Sequence, residues 1–125
     1  MNKKILIVED DATLRQTLAE FLEAENFSAV VASDGEEGVQ KTITEMPDLI
    51  LLDIVLPKKD GYEVIKTLKG DKKTKNIPIV VLTNLGGLSN MEKALALGAI
   101  TYLVKGDYQL KEIMEKIKEV LLSKK

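Results

Sequence analysis

Five short apolar runs alternate with longer amphipathic stretches along this chain, and no linker or low-complexity segment separates them. Apolar runs that alternate with helical patterns predict βα units around a parallel sheet. The sequence predicts strands at residues 4–8, 28–32, 48–53, 79–83 and 101–104, and helices at 12–25, 36–45, 61–69, 89–97 and 107–122. An eight-unit barrel needs roughly twice this length, so an open, doubly wound α/β sheet is favoured.

Several helix ends carry their own signals. A Ser or Asp followed three residues later by Glu satisfies the free N–H groups of a first helical turn. This pattern predicts three helix starts: Ser33 with Glu36, Asp60 with Glu63, and Ser89 with Glu92. Asp11 is predicted to cap the first helix, and Gly98 to end the fourth in a left-handed conformation.

Polar residues follow four of the apolar runs. Glu9 and Asp10 follow the first run, Asp53 ends the third, Thr83 ends the fourth and Lys105 follows the fifth. In open α/β sheets, ligands bind beyond the carboxyl ends of the strands. A buried carboxylate needs a counter-charge, a metal or water beside it. These five side chains are therefore predicted to converge at one edge of the sheet.

The chain contains no Cys and no His, which excludes thiol nucleophiles, Cys-rich zinc sites and imidazole acid–base catalysis. Three neighbouring carboxylates, at Glu9, Asp10 and Asp53, would repel one another unless a cation lies between them, and Mg²⁺ prefers oxygen ligands. A carboxylate can also attack a phosphoryl group and form an aspartyl phosphate. Lys105 and the Thr83 hydroxyl could then bind two phosphoryl oxygens.

Charge and hydropathy limit the partners. Eighteen basic and twenty acidic residues give a net charge of -2, with no dense basic stripe, so nucleic-acid binding is not favoured. The first residues lack the features of a signal peptide or a membrane span, and a cytoplasmic location is the expectation.

The chain resembles the receiver domains of two-component response regulators, of the stand-alone chemotaxis type. The residues that carry this resemblance are Val8-Glu9-Asp10-Asp11, Asp53-Ile54-Val55-Leu56-Pro57, Asp60-Gly61, Leu82-Thr83, Gly98-Ala99, Tyr102 and Lys105. It implies a flavodoxin-like (βα)5 fold with strand order 2-1-3-4-5, and a single domain over residues 1–125. No output domain follows residue 122, so we expect the chain to act through a protein partner or a phosphorelay.

The resemblance also implies roles for individual residues. Asp53 matches the phosphoacceptor, and Glu9 and Asp10 match the metal-binding acids. Val55 matches the residue whose backbone carbonyl completes the Mg²⁺ shell. Thr83 and Lys105 match the residues that bind the phosphoryl group, and Tyr102 matches the aromatic switch. The implied donor is a phosphohistidine on a sensor kinase or phosphotransfer protein. The implied output is the surface of the fourth helix, fifth strand and fifth helix, on a monomer or weak homodimer.

Two features depart from the usual pattern of that family. Lys105 is followed by Gly106 rather than by a cis proline, and Asn84 follows Thr83 where a smaller residue is usual, which narrows access to the site. Val55 and Leu85 are predicted to flank the mouth of the site. Neither side chain can orient an attacking water, so the sequence predicts a long-lived aspartyl phosphate.

Two other functions are weighed against this one. A flavodoxin-like electron carrier shares the topology, but the phosphate of its cofactor would be repelled by the acids that follow the first strand of this chain. An Asp-nucleophile phosphatase would place a second acid two residues after the first, where this chain has Val55.

Overall fold

A computed structural model describes residues 2–123; residues 1, 124 and 125, the ends of the predicted domain, lie outside the described part. Strands and helices alternate along the chain as β1 (Lys4–Val8), α1 (Ala12–Ala24), β2 (Ser28–Ala32), α2 (Gly35–Glu45), β3 (Leu49–Leu52), α3 (Gly61–Lys69), β4 (Ile79–Thr83), α4 (Leu88–Leu97), β5 (Thr101–Val104) and α5 (Leu110–Ser123). The strands form one parallel sheet in the order β2-β1-β3-β4-β5. The predicted fold class and strand order are confirmed.

Two hydrophobic clusters cover the two faces of the sheet. Alternate residues of each central strand belong to different clusters: Leu6 and Val8 of β1 pack in one, Ile5 and Ile7 in the other. Every residue of β3 and β4 is buried, which explains why these strands are apolar apart from Thr83 at the end of β4.

The register of the strands aligns their carboxyl ends. Val8 lies opposite Leu52 in β3, Leu52 lies opposite Val81 in β4, and Thr83 lies opposite Val104 in β5. The residues that follow β1, β3 and β5 therefore emerge at one edge of the sheet, beside the end of β4.

The helix starts agree only partly with the predictions. Asp11 caps α1 and Asp60 caps α3, as expected. The cap of α2 is Asp34 rather than Ser33; Asp34 accepts from the backbone of Glu37, and the Glu37 carboxylate accepts from Ser33. The pair is shifted by one residue because Asp34 is an equally good cap.

Two further helix starts differ from the predictions. The predicted pair of Ser89 and Glu92 is wrong, because α4 already begins at Leu88 and its cap residue, Gly87, offers no side chain. The last helix begins at Leu110 because residues Lys105–Asp107 form a 3₁₀ turn first.

Gly98 ends α4 with a φ of 122°, as predicted for a left-handed cap. A Cβ atom at this position would lie 2.8 Å from the Lys69 side chain, so glycine also permits the close approach of α3. Among residues 2–123, no helix combines the length and the apolar character that crossing a membrane requires.

Candidate functional site

Three carboxylates meet at the carboxyl edge of the sheet. Ligand oxygens of Glu9, Asp10 and Asp53 all lie within 4.8 Å of one another. The backbone positions two of them, because the Glu9 N–H donates to Ala32 and the Asp53 N–H donates to Val8, which extends the sheet ladder. Glu9 is 2% exposed and Asp53 5%, whereas Asp10 faces solvent.

Lys105 supplies the counter-charge. Its ammonium lies 2.8 Å from the Glu9 carboxylate and 2.9 Å from that of Asp53. Burial raises the pKa of Glu9, and its bonds to Lys105 and Asp11 oppose that rise without cancelling it. Burial alone would lower the pKa of Lys105, but its bonds to Glu9 and Asp53 outweigh this and raise the pKa. The lysine therefore stays protonated between the two acids.

The loop after β1 is fixed by a residue that sequence reasoning missed. Arg15, the only arginine of the chain, donates to the backbone carbonyl of Glu9 at 2.8 Å and more weakly to that of Asp10. The Asp11 N–H donates to the Glu9 carboxylate at 3.0 Å. Arg15 lies one helical turn after the Asp11 cap, and this spacing is the sequence signal by which it could have been found.

A cleft of about 350 Å³ opens above the acids, and the residues that line it are Glu9, Asp10, Asp11, Asp53, Val55, Asn84 and Lys105. Val55 is 60% exposed, and its N–H donates to the Asp53 carboxylate at 3.3 Å. Asn84 lies where the sequence predicted it. Apolar Val55 and the amide of Asn84 therefore border the acids.

Leu85 does not join Val55 at the cleft, contrary to the prediction. Its side chain is partly buried and packs against one of the hydrophobic clusters. Because β4 ends at Thr83, the alternation of a strand no longer sets the direction of the Leu85 side chain.

Thr83 lies next to the cleft without lining it. The residue is fully buried, and its hydroxyl accepts from the Leu85 N–H at 3.2 Å. In the sheet it pairs with Val104, the residue before Lys105. The structure thus brings Glu9, Asp10, Asp53 and Lys105 into one cleft and leaves Thr83 buried beside it, at the end of β4.

Two tyrosines contact the segment after Thr83. The Tyr102 hydroxyl donates to the Leu85 carbonyl at 2.5 Å. The Tyr62 hydroxyl, which sequence reasoning did not single out, donates to the Asn90 side chain at 3.1 Å. Burial raises the pKa of both tyrosines, so each is a protonated donor at neutral pH.

The acids suit a hard divalent cation. Every candidate ligand is an oxygen, and three carboxylates share one water-accessible cleft, which fits the preference of Mg²⁺ for a few carboxylates and several waters. The Asp53 carboxylate lies beside the ammonium of Lys105, a suitable position for an anionic group bound between lysine and cation.

Comparisons with known proteins agree with this geometry. The sequence model of the response regulator receiver domain matches residues 5–118. The chain is 40% identical to the alkaline phosphatase synthesis transcriptional regulatory protein PhoP of Bacillus subtilis, over 97% of this chain and 49% of that protein. It is 38% identical to the phosphate regulon transcriptional regulatory protein PhoB of Escherichia coli, over 97% of this chain and 52% of PhoB. The chain thus spans about half the length of the curated relatives it matches.

Solved structures show the same likeness. A CheY-like response regulator receiver domain protein from Methanospirillum hungatei superimposes with a TM-score of 0.92 at 30% identity, covering 99% of this chain and 97% of that one. The BeF3-activated N-terminal receiver domain of Klebsiella pneumoniae RstA gives a TM-score of 0.86 at 33% identity, covering 94% of this chain and 97% of that one.

Proposed function

The chain belongs to the response regulator receiver domain family of two-component systems, and we propose that Asp53 accepts a phosphoryl group from a phosphohistidine donor in a Mg²⁺-dependent reaction. Proteins of this family are signalling switches rather than conventional enzymes. The observation that carries the proposal is the Lys105 ammonium, which lies 2.9 Å from Asp53 in the cleft that also holds Glu9 and Asp10.

In the proposed reaction, an Asp53 oxygen attacks the phosphorus atom as the N–P bond of the phosphohistidine breaks. The electron pair of that bond stays on the imidazole nitrogen. A Mg²⁺ ion held by Glu9, Asp10, Asp53 and the Val55 carbonyl would supply charge neutralisation at the phosphoryl oxygens. Lys105 neutralises another phosphoryl oxygen and orients the Asp53 carboxylate. The chain thus positions the reacting groups and neutralises their charge, but it accepts one phosphoryl group rather than turning over a substrate.

The switch follows from the charge that phosphorylation adds. The Thr83 hydroxyl accepts from Leu85 in this structure and would donate to the phosphoryl group instead, which moves the segment after β4. That movement would release Tyr102 from the Leu85 carbonyl and let its ring fill the space that Thr83 leaves.

We place the output on the surface formed by α4, β5 and α5, where the large side chains of Leu88 and Leu95 are exposed. In this proposal residues 1–125 act as one receiver domain, a monomer or weak homodimer. A sensor histidine kinase or histidine phosphotransfer protein supplies the phosphoryl group, and a downstream protein reads the altered surface without direct nucleic-acid contact.

The test is incubation with Mg²⁺ and acetyl phosphate, followed by intact mass spectrometry. We expect one phosphoryl adduct on the wild type, none on Asp53→Asn and none when the metal is chelated. Asp107→Asn, at an exposed position that does not line the cleft, should be phosphorylated like the wild type. An adduct on Asp53→Asn, or catalytic turnover of a generic phosphate ester that this variant abolishes, would contradict the proposal.

A further inference from the structure

Tyr62, in the first turn of α3, connects that helix to the start of α4. Its hydroxyl lies 3.1 Å from the Asn90 side-chain oxygen and 3.4 Å from the Asn90 backbone carbonyl. The Lys93 ammonium lies over the Tyr62 ring, 4.2 Å from the ring centroid. Asn90 and Lys93 both belong to α4, so the side chain of Tyr62 helps to fix the position of this helix against α3.

The start of α4 needs such support. Its cap residue is Gly87, with a φ of 100° and no side chain to accept from the first turn. Asn90 supports the turn from inside the helix, because its side-chain N–H donates to the Gly86 carbonyl at 2.8 Å. The Asn90 side chain therefore links Tyr62 on one side to the loop before α4 on the other.

The same loop contacts the two residues of the proposed switch. Leu85 donates to Thr83 through its N–H and accepts from Tyr102 through its carbonyl. Gly86, the next residue, accepts from Asn90. The loop thus has two contacts to the switch residues and one, through Asn90, to Tyr62. Glycines at two successive positions permit the loop to change conformation.

We propose that Tyr62 is a positioning residue of the switch, whose hydroxyl holds Asn90 and the β4–α4 loop in the unphosphorylated position. The inference rests on the proposed phosphorylation of Asp53. When Thr83 turns toward the phosphoryl group, the loop shifts and the contact between Tyr62 and Asn90 is strained or broken. The hydroxyl therefore stabilises the resting state and opposes activation.

Tyr62→Phe removes the hydroxyl, with its interactions with Asn90 and Tyr102, and leaves the ring beneath Lys93. Loss of one hydrogen bond that exists only in the resting state should shift the equilibrium about fivefold toward the activated state. The apparent affinity for beryllofluoride and Mg²⁺, which together mimic the phosphoryl group, should rise by the same factor. Asn90→Ala should act similarly, and the double variant should exceed neither single variant by much.

The experiment is a beryllofluoride titration in Mg²⁺, followed by NMR through the amide signals of Gly86 and Gly87. Tyr108→Phe is the matched control, since Tyr108 packs against the hydrophobic cluster on the other face of the sheet. Tighter binding in Tyr62→Phe and Asn90→Ala, with Tyr108→Phe like the wild type, supports the inference. Affinity in Tyr62→Phe equal to or weaker than that of the wild type overturns it.

The unliganded spectra separate failure of the inference from failure of the proposed function. In free Tyr62→Phe, the two glycine amides should already be displaced along the line that joins the free and beryllofluoride-bound positions of the wild type. If the wild type does not respond to beryllofluoride at all, the proposed function fails and the inference fails with it. If the wild type responds while free Tyr62→Phe gives wild-type shifts, only the inference fails.

Discussion

The ammonium of Lys105 donates a hydrogen bond of 2.9 Å to Asp53, although 52 residues separate the two in sequence. The same ammonium lies 2.8 Å from Glu9. In the resting structure it therefore contacts two of the three acids that we propose as Mg²⁺ ligands. A bound Mg²⁺ would therefore compete with the lysine for part of the same negative charge, and the phosphoryl group would relieve this competition by offering the lysine a new anionic partner.

Lys105→Met should raise the affinity for Mg²⁺ about fivefold or more and strongly reduce phosphorylation by acetyl phosphate. The first effect arises because three carboxylates without a counter-charge attract the cation more strongly, and the second because the phosphoryl group loses a neutralising partner. Isothermal titration calorimetry and intact mass measure the two effects. Lys111→Met, at an exposed position of α5, is the control, and unchanged Mg²⁺ affinity in Lys105→Met would contradict the assignment.

Thr83→Ala should still accept a phosphoryl group at Asp53 but should not transmit the change to α4, β5 and α5. The Thr83 hydroxyl is the group expected to exchange its Leu85 partner for a phosphoryl oxygen. Thr83→Ser preserves the hydroxyl and is the matched control. The NMR shifts of α4 amides with and without beryllofluoride measure the response; a wild-type response in Thr83→Ala would refute the coupling.

Sequence reasoning located the carboxyl edge of the sheet correctly. Each strand is a short apolar run between two helical stretches, and such a run is typical of a parallel strand that is buried on both faces. Because β1, β3 and β5 are each followed by charged residues, parallel pairing alone brings Glu9, Asp53 and Lys105 together. The residues of the cleft could therefore be predicted from strand ends without knowledge of side-chain contacts.

Residues in loops and in first helical turns were less predictable. Leu85 lies beyond the end of β4, where no periodicity fixes the direction of its side chain. The contact of Tyr62 with Asn90 joins residues 28 positions apart, and their distance depends on how α3 packs against α4. Neither a tyrosine in α3 nor an asparagine in α4 indicates such a contact in the sequence, because the contact depends on the packing of the two helices.

Val55→Glu should shorten the lifetime of the aspartyl phosphate by roughly tenfold, because a carboxylate at the mouth of the cleft can orient and activate water for in-line attack. Val55 is 60% exposed, so the substitution needs no rearrangement of the core. Val55→Ala, smaller but still apolar, should decay like the wild type. Decay is measured by the loss of the phosphoryl adduct with time, and equal lifetimes in all three proteins would exclude Val55 as a determinant.

Glu37→Gln should lower the free energy of unfolding at pH 7 by less than about 1 kcal/mol, since the Glu37 side chain is 40% exposed and solvent weakens its bonds. The hydrogen bond from the Ser33 N–H lowers the pKa of Glu37 below its ordinary value of 4.5. A lowered pKa contributes stability above the unfolded value and loses it as the pH falls through the folded value.

The difference between wild type and Glu37→Gln should therefore shrink as the pH falls below 4.5. Urea unfolding at several pH values measures it. Glu36→Gln removes the same charge from the same turn of α2 and controls for the interaction with the helix dipole. A difference that grows on acidification would show that Glu37 does not stabilise the fold as an anion.

Lys58→Gly should be more stable than Lys58→Ala by about 1 kcal/mol, because Lys58 has a φ of 67° and a Cβ atom is unfavourable in the left-handed region. Both variants lose the ion pair between Lys58 and Asp34. Its two charged atoms lie 3.8 Å apart and the lysine side chain is 61% exposed, so the pair contributes little to stability. The comparison therefore isolates the backbone, apart from the greater freedom of glycine in the unfolded chain, which opposes the gain. Urea unfolding at neutral pH measures the difference. If the alanine variant is as stable as the glycine variant, the loop after β3 has relaxed out of the left-handed conformation, and Val55, on the same loop, is then expected to show altered exposure.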